Sequence, residues 1–168
     1  MADRVLRGRA IIAGDDVSTD DIIPGRFAHL RSNLPALASH AFEDRLPGFH
    51  ERVRQGDILI GGRNFGLGSS REHAPVVIRM AGISAIVASS VARIFYRNAI
   101  NQGLAVVMCD TRGINDGDDI EILLEEGTVI DHTTGVRMSC GRIPPLMARI
   151  LDAGGLVPYI RTHGSLDA

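Results

Sequence analysis

Apolar positions along this chain fall into short runs separated by glycines and polar clusters, the pattern of buried strands alternating with helices. Val5 to Ala13 mixes apolar and basic residues in strand fashion. It feeds Gly14 to Pro24, a polar stretch rich in Asp, Ser and Thr, read as an elaborate loop. Leu34 to Glu43 has near-helical apolar spacing behind Ser32-Asn33 as a cap and stops near Pro47-Gly48, which predicts a short helix. Asp57 to Gly62 then predicts a strand, Ser70 to Met80 a helix, Ser84 to Ala88 a strand, Val91 to Asn101 an amphipathic helix, and Leu104 to Cys109 a strand. Such a βαβαβ rhythm implies parallel pairing, because strand-helix-strand crossovers are right-handed.

Beyond Asp119 the period shortens. Strand-like segments broken at Glu126-Gly127 and Thr134-Gly135 predict hairpins up to Arg142, with a closing helix from Pro144 to Ala153. The expected fold is α/β, with a mostly parallel central sheet and a β-rich appendage. Neither an internal repeat nor a low-complexity segment interrupts it, so residues 1–168 are read as one domain.

Composition narrows the function classes. The hydrophobic share of 45% and charged share of 23% are those of an ordinary globular domain, and 168 residues suffice for a core without external staples. A net charge of -2, with arginines spread along the chain, excludes the basic field that nucleic acid requires. The two cysteines, Cys109 and Cys140, form neither a disulfide framework nor a metal-binding spacing, and alone they cannot hold a four-iron cluster. No apolar run approaches the roughly 20 residues of a membrane span, and no secretory signal opens the chain, so a cytoplasmic location with no membrane partner is expected.

The most informative stretch is Gly61 to His73, G-G-R-N-F-G-L-G-S-S-R-E-H, a glycine-rich turn bringing two hydroxyls and an arginine to a helix start. Unpaired backbone N–H groups and the helix dipole favour an anion there, and Arg71 adds a planar fork suited to a carboxylate. Neither familiar glycine motif fits: a P-loop needs Lys after its last glycine, and the dinucleotide fingerprint needs glycine where Arg71 stands. A purely structural reading competes, since Ser69 and Glu72 have the S-x-x-E spacing of a capping box. On the residues alone both readings stand. A serine acting as a base needs nearby positive charge and directed hydrogen bonds, which Arg71 and the helix start could supply.

Gly62 to Pro75, read as G-R-N-F-G-L-G-S-S-R-E-H-A-P, resembles the signature of the small subunits of 3-isopropylmalate dehydratase and homoaconitase. Val17 to Pro24 is similar to the family's T-D-x-I-x-P element, and Ala92 to Asn101 to a third family motif; together they span most of residues 10 to 110. The resemblance implies a swivelling β/β/α domain like the C-terminal domain of aconitase, with a 4Fe-4S cluster carried by a larger partner subunit. It implies a hydro-lyase that moves a hydroxyl between adjacent carbons by dehydration and rehydration, the partner's open iron acting as Lewis acid.

Carried over by motif position, Ser69 is the proton-abstracting residue, and Ser70 and Arg71 hold a substrate carboxylate. Asp20 orients the site, with a plain turn-forming role as its alternative. Phe27 to Ser32 falls where relatives place a substrate-sensing loop, and Arg31 within it would pair with an extra carboxylate, as in homoaconitate, or with one common to all substrates. The expected substrate is 3-isopropylmalate, in leucine biosynthesis, with homoaconitate and 2,3-dimethylmalate as alternatives. His73 is read as structural, and Arg93, Tyr96, Arg97 and Asn101 as a half-exposed helix face available for subunit docking. Two non-enzymatic readings remain beside these: a regulatory module binding a carboxylate effector, and a structural partner subunit. An isolated small subunit is also a candidate for self-association through its docking face.

Overall fold

A computed structural model describes residues 4–69 and 71–166. One seven-stranded sheet organises them. Its strands are β1 (Val5–Gly14), β2 (Ile58–Gly61), β3 (Ala85–Ala88), β4 (Ala105–Met108), β5 (Asp119–Leu123), β6 (Thr128–Asp131) and β7 (Val136–Ser139), in the order β4-β3-β2-β1-β5-β6-β7. The helices are α1 (Thr19–Ile22), α2 (Leu34–Ala38), α3 (Phe49–Arg52), α4 (His73–Met80), α5 (Arg93–Asn101), α6 (Pro145–Asp152) and α7 (Leu156–His163), with a 3-10 turn over Gly25–Leu30.

β1 is the seam. Its first half, Val5 to Arg9, runs antiparallel to β5, and from Ala10 it runs parallel to β2. β2, β3 and β4 continue the parallel half, and β6 and β7 the antiparallel one. The β-rich segment expected as an appendage is therefore continuous with the main sheet through a shared strand.

Alternation along the parallel strands sorts their side chains into two cores, as strands covered on both faces require. Ile11, Leu59, Ile86 and Val106 pack with Leu37, Phe49, Ile78 and Phe95 of the helices. Ile58, Ile60, Val87 and Val107 pack instead with Ile120, Ile122 and Val129 of β5 and β6, and with Leu151 and Tyr159 of α6 and α7. The antiparallel strands share a core with the far face of the parallel ones, so the layering is helices, sheet, and returning sheet. This is the β/β/α arrangement expected above.

Element boundaries depart from expectation where tertiary bonds intervene. The helix read over Leu34 to Glu43 keeps its cap, Asn33, whose side chain accepts the Ala36 N–H, but it ends at Ala38. Phe42 beyond it takes a positive φ of 56° and gives its N–H to Ile22 O, leaving the helical path. Four elements were not foreseen: α1 and α3, of four residues each, the 3-10 turn, and α7. In α7, Pro158 occupies the first turn, where a missing N–H removes no helical bond.

α1 holds together through a capping box: Ser18 accepts the Asp21 N–H while the Asp21 carboxylate accepts the Ser18 N–H, at 3.0 and 2.9 Å. Ser18→Ala is expected to cost about 1 kcal/mol, read as a lower urea midpoint with unchanged slope.

Candidate active site

β2 hands the chain to the turn Gly62–Glu72, and backbone bonds from two neighbouring loops hold that turn out of helical conformation. On one side Gly62 N bonds Gly14 O, Asp16 N bonds Arg63 O, Gly66 N bonds Val17 O, and Thr19 N bonds Leu67 O, at 2.7 to 2.9 Å. On the other, Phe65 N bonds Ser90 O and Ala92 N bonds Phe65 O. The Asp15 carboxylate accepts the Arg63 N–H at 2.7 Å, which with the Arg63 guanidinium holds this carboxyl below its usual range. The Phe65 ring is buried edge-on against Phe95, 5.4 Å between centroids. Two glycines make the path possible: Gly66 at φ 81° lies against the Phe95 ring, and Gly68 at φ 111° lies against Thr19.

The helix expected from Ser70 begins only at His73, with Glu72 at its N-cap and no side-chain cap bond. The Ser69–Glu72 capping box therefore does not form. Ser69 is exposed, and its Oγ lies 3.2 Å from the Oγ1 of Thr19, the first residue of α1. Next along α1, Asp20 pairs with Arg71 Nη1 at 2.8 Å, and the same nitrogen donates to Ile23 O at 3.1 Å. Two motifs some fifty residues apart are thus folded onto one edge.

Arg31, just past the 3-10 turn, donates its Nε–H to Ala28 O and lines a cavity of about 350 Å³ together with Ile23, Ala28, Arg71, Glu72 and His73. Of the residues singled out in the sequence, Asp20 and Arg71 pair directly, Ser69 meets Thr19, the neighbour of Asp20, and Arg31 shares a cavity with Arg71. Ser70 lies outside the described residues. Thr19 was overlooked, although it stands beside Asp20 in the quoted motif, because no local rule pairs a threonine with a serine fifty residues away. His73 proves to line the cavity that Arg31 and Arg71 share.

A larger cavity of about 820 Å³ touches the start of the same turn, at Gly61 to Arg63, and contains none of the candidate residues. Its charged rim is internally paired, Arg63 with Asp15 and Arg112 with Asp110.

Nothing here suits an iron–sulfur cluster. Among the described residues no three His, Cys, Asp or Glu side chains are placed to share a metal. Burial pushes the Cys109 thiol up to about 12 and raises that of Cys140 too. No helix among the described residues is long and apolar enough to cross a membrane.

Comparison with known proteins agrees with this architecture. A family model described as the aconitase C-terminal domain matches residues 43–111. The chain is 52% identical to 3-isopropylmalate dehydratase small subunit 2 of Archaeoglobus fulgidus, over 95% of this chain and 96% of that one. It is 51% identical to small subunit 1 of the same enzyme from Thermotoga maritima, over 96% and 98%. The crystal structure of a 3-isopropylmalate dehydratase from Methanocaldococcus jannaschii superposes with a TM-score of 0.90 at 42% identity, covering 96% of each chain. On these matches, which run nearly end to end, the chain belongs to the family of 3-isopropylmalate dehydratase small subunits.

Proposed function

We propose that this chain is the small, catalytic-base-bearing subunit of a cytoplasmic 3-isopropylmalate dehydratase, a hydro-lyase active only when docked to a larger subunit. The observation that carries the reading is the convergence of Ser69 with Thr19 and of Arg71 with Asp20 on one edge. Both halves of the chemistry meet there: a hydroxyl, and a cation that recognises carboxylates.

Ser69 Oγ is the atom that takes the proton. Accepting it from the substrate carbon requires the alkoxide form, and the Thr19 hydroxyl donates into that oxygen while Arg71 and the amino end of α4 supply positive potential. The C–H bond breaks toward Ser69 and hydroxide leaves the adjacent carbon; hydroxide then adds to the carbon that lost the proton, and Ser69 returns the proton to the carbon that lost the hydroxyl, giving the isomer. Arg71 binds a substrate carboxylate through its remaining donors while Asp20 fixes its position, since the pair and the Ile23 carbonyl both use Nη1. Ser70 completes that carboxylate contact, and Arg31 takes a second carboxylate across the cavity. The iron–sulfur cluster belongs to the large subunit, since two cysteines are too few to hold a four-iron cluster.

The test is co-expression with a cluster-bearing large subunit and turnover of 3-isopropylmalate, homoaconitate and 2,3-dimethylmalate. 3-Isopropylmalate is expected to have the highest kcat/KM. Arg31→Ala is expected to raise KM about 10- to 100-fold with kcat changed less than about threefold, the loss of one charge-assisted contact. An unchanged KM for all three would remove Arg31 from the substrate site.

A further inference from the structure

α1 is too short to hold its own place. Its four residues complete about one turn, and an isolated turn of helix is unstable in water. Val17 and Ile22 are buried and fix how deep it sits, but apolar contact is non-directional and leaves its tilt open. Directed bonds must set that tilt, and it matters because Thr19 and Asp20 of α1 meet Ser69 and Arg71.

Three such bonds come from one side chain. Arg45 stands in the loop between α2 and α3, half-buried, with 29% of its side chain exposed. Its Nε donates to Ala13 O at 3.3 Å, its Nη2 donates to Asp15 O, and its Nη1 pairs with the Asp21 carboxylate at 3.5 Å. Every nitrogen of the guanidinium therefore grips the segment that carries Thr19 and Asp20, two of them ahead of it and one behind. Gly14 makes room for the approach, since a Cβ there would lie 3.3 Å from Nη2. The loop of Arg45 is itself anchored: Phe42 is buried against Phe49, 5.0 Å between ring centroids, and gives its N–H to Ile22 O at 3.1 Å.

Both acids that Arg45 touches lead on to the site. Asp15, held by its carbonyl, uses its carboxylate on the Arg63 N–H at the start of the turn that carries Ser69. Asp21, held by its carboxylate, closes the capping box of α1 and adjoins Asp20 in the chain. A lysine could not repeat this, having one nitrogen for three oxygens on three residues. Arg45 does not line the cavity that Arg31 and Arg71 share.

We propose that Arg45 is a positioning residue for the isomerisation: without touching substrate, it sets Thr19 and Asp20 where they meet Ser69 and Arg71. The inference rests on the reading of Ser69 as the base and extends it to a residue outside every motif of the site.

The test is Arg45→Ala in the assembled two-subunit enzyme. kcat for 3-isopropylmalate is expected to fall about 10- to 100-fold, with KM changed less than about threefold because Arg71 keeps its bond to Ile23 O. Millimolar guanidinium chloride should raise the kcat of this variant at least about fivefold by supplying the missing fork, while equal urea or sodium chloride should not. A role confined to stability predicts the reverse, since guanidinium is a denaturant and lowers the folded fraction. Arg7→Ala, which removes a two-bond pair with Asp119 on the antiparallel half of β1, should leave kcat within about twofold. A kcat for Arg45→Ala within about threefold of the unaltered enzyme, or a loss that guanidinium does not reverse, would overturn the proposal. Amide shifts of Thr19, Asp20 and Leu67 in the full chain alone, followed by NMR, test the placement without turnover. They are expected to move in Arg45→Ala and to return with guanidinium, and shifts that stay in place would overturn the proposal independently. Turnover that survives Ser69→Ala would instead remove the base and leave this placement to be judged on the shifts.

Discussion

Replacing Ser69 with alanine in the assembled two-subunit enzyme is expected to lower kcat at least about 1000-fold while KM moves less than about threefold. The expectation follows from what Ser69 touches and what it does not. A helix-capping serine would bond the first-turn N–H groups of α4, and its loss would cost about 1 kcal/mol of stability with little effect on turnover. In the structure α4 starts at His73, no side chain caps it, and the Ser69 hydroxyl faces Thr19 instead. Stability in urea should therefore change by less than about 0.5 kcal/mol. Arg71, the proposed carboxylate-binding group, stays tethered to Asp20 and Ile23 O, so substrate affinity is expected to be retained while the proposed proton acceptor is lost. Turnover that survives the substitution, measured on purified complex of verified stoichiometry, would return Ser69 to a structural role.

Gly66→Ala is expected to be the most destabilising single change in the turn, at about 2–4 kcal/mol by urea denaturation. Two costs add. Alanine at φ 81° is strained by about 1 kcal/mol, and its methyl carbon would lie 2.3 Å from Cγ and 2.6 Å from Cβ of Phe95, a clash that only movement of a buried ring relieves. Gly135→Ala separates the two. Its φ of 78° is nearly the same, but an added methyl meets nothing within 4 Å, so the strain of about 1 kcal/mol should appear alone. Equal losses at the two positions would mean that the Phe95 contact carries no cost. Because Phe65 and Phe95 anchor the turn that presents Ser69, Gly66→Ala should also depress turnover in whatever folded enzyme remains.

Much of this architecture is readable before any coordinates. The runs Asp57 to Gly62, Ser84 to Ala88 and Leu104 to Cys109 have continuous apolar interiors bounded by polar residues or glycine, as buried parallel strands must, and each contains the observed strand. The breaks at Glu126-Gly127 and Thr134-Gly135 fall between β5, β6 and β7. Short helices escaped, because four residues of α1 or α3 complete barely one turn and show no period. The Ser18–Asp21 capping box was a usable sign that went unread. The start of α4 was misplaced for a different reason: Ser69 to Glu72 is locally competent to cap a helix, but bonds from Val17, Thr19 and Ser90 had already committed residues 65–67 to another path.

The sequence by itself determined the alternation of buried strands and helices, the family, and which residues are candidates for the chemistry, since each is encoded in local spacing or in residue type. Tertiary structure alone decided that Thr19 meets Ser69, that Asp20 meets Arg71, and that Arg31 and Arg71 line one cavity. Those outcomes depend on where two loops at the end of a parallel sheet cross. That crossing is set by the packing of distant strands, which no short window of residues contains.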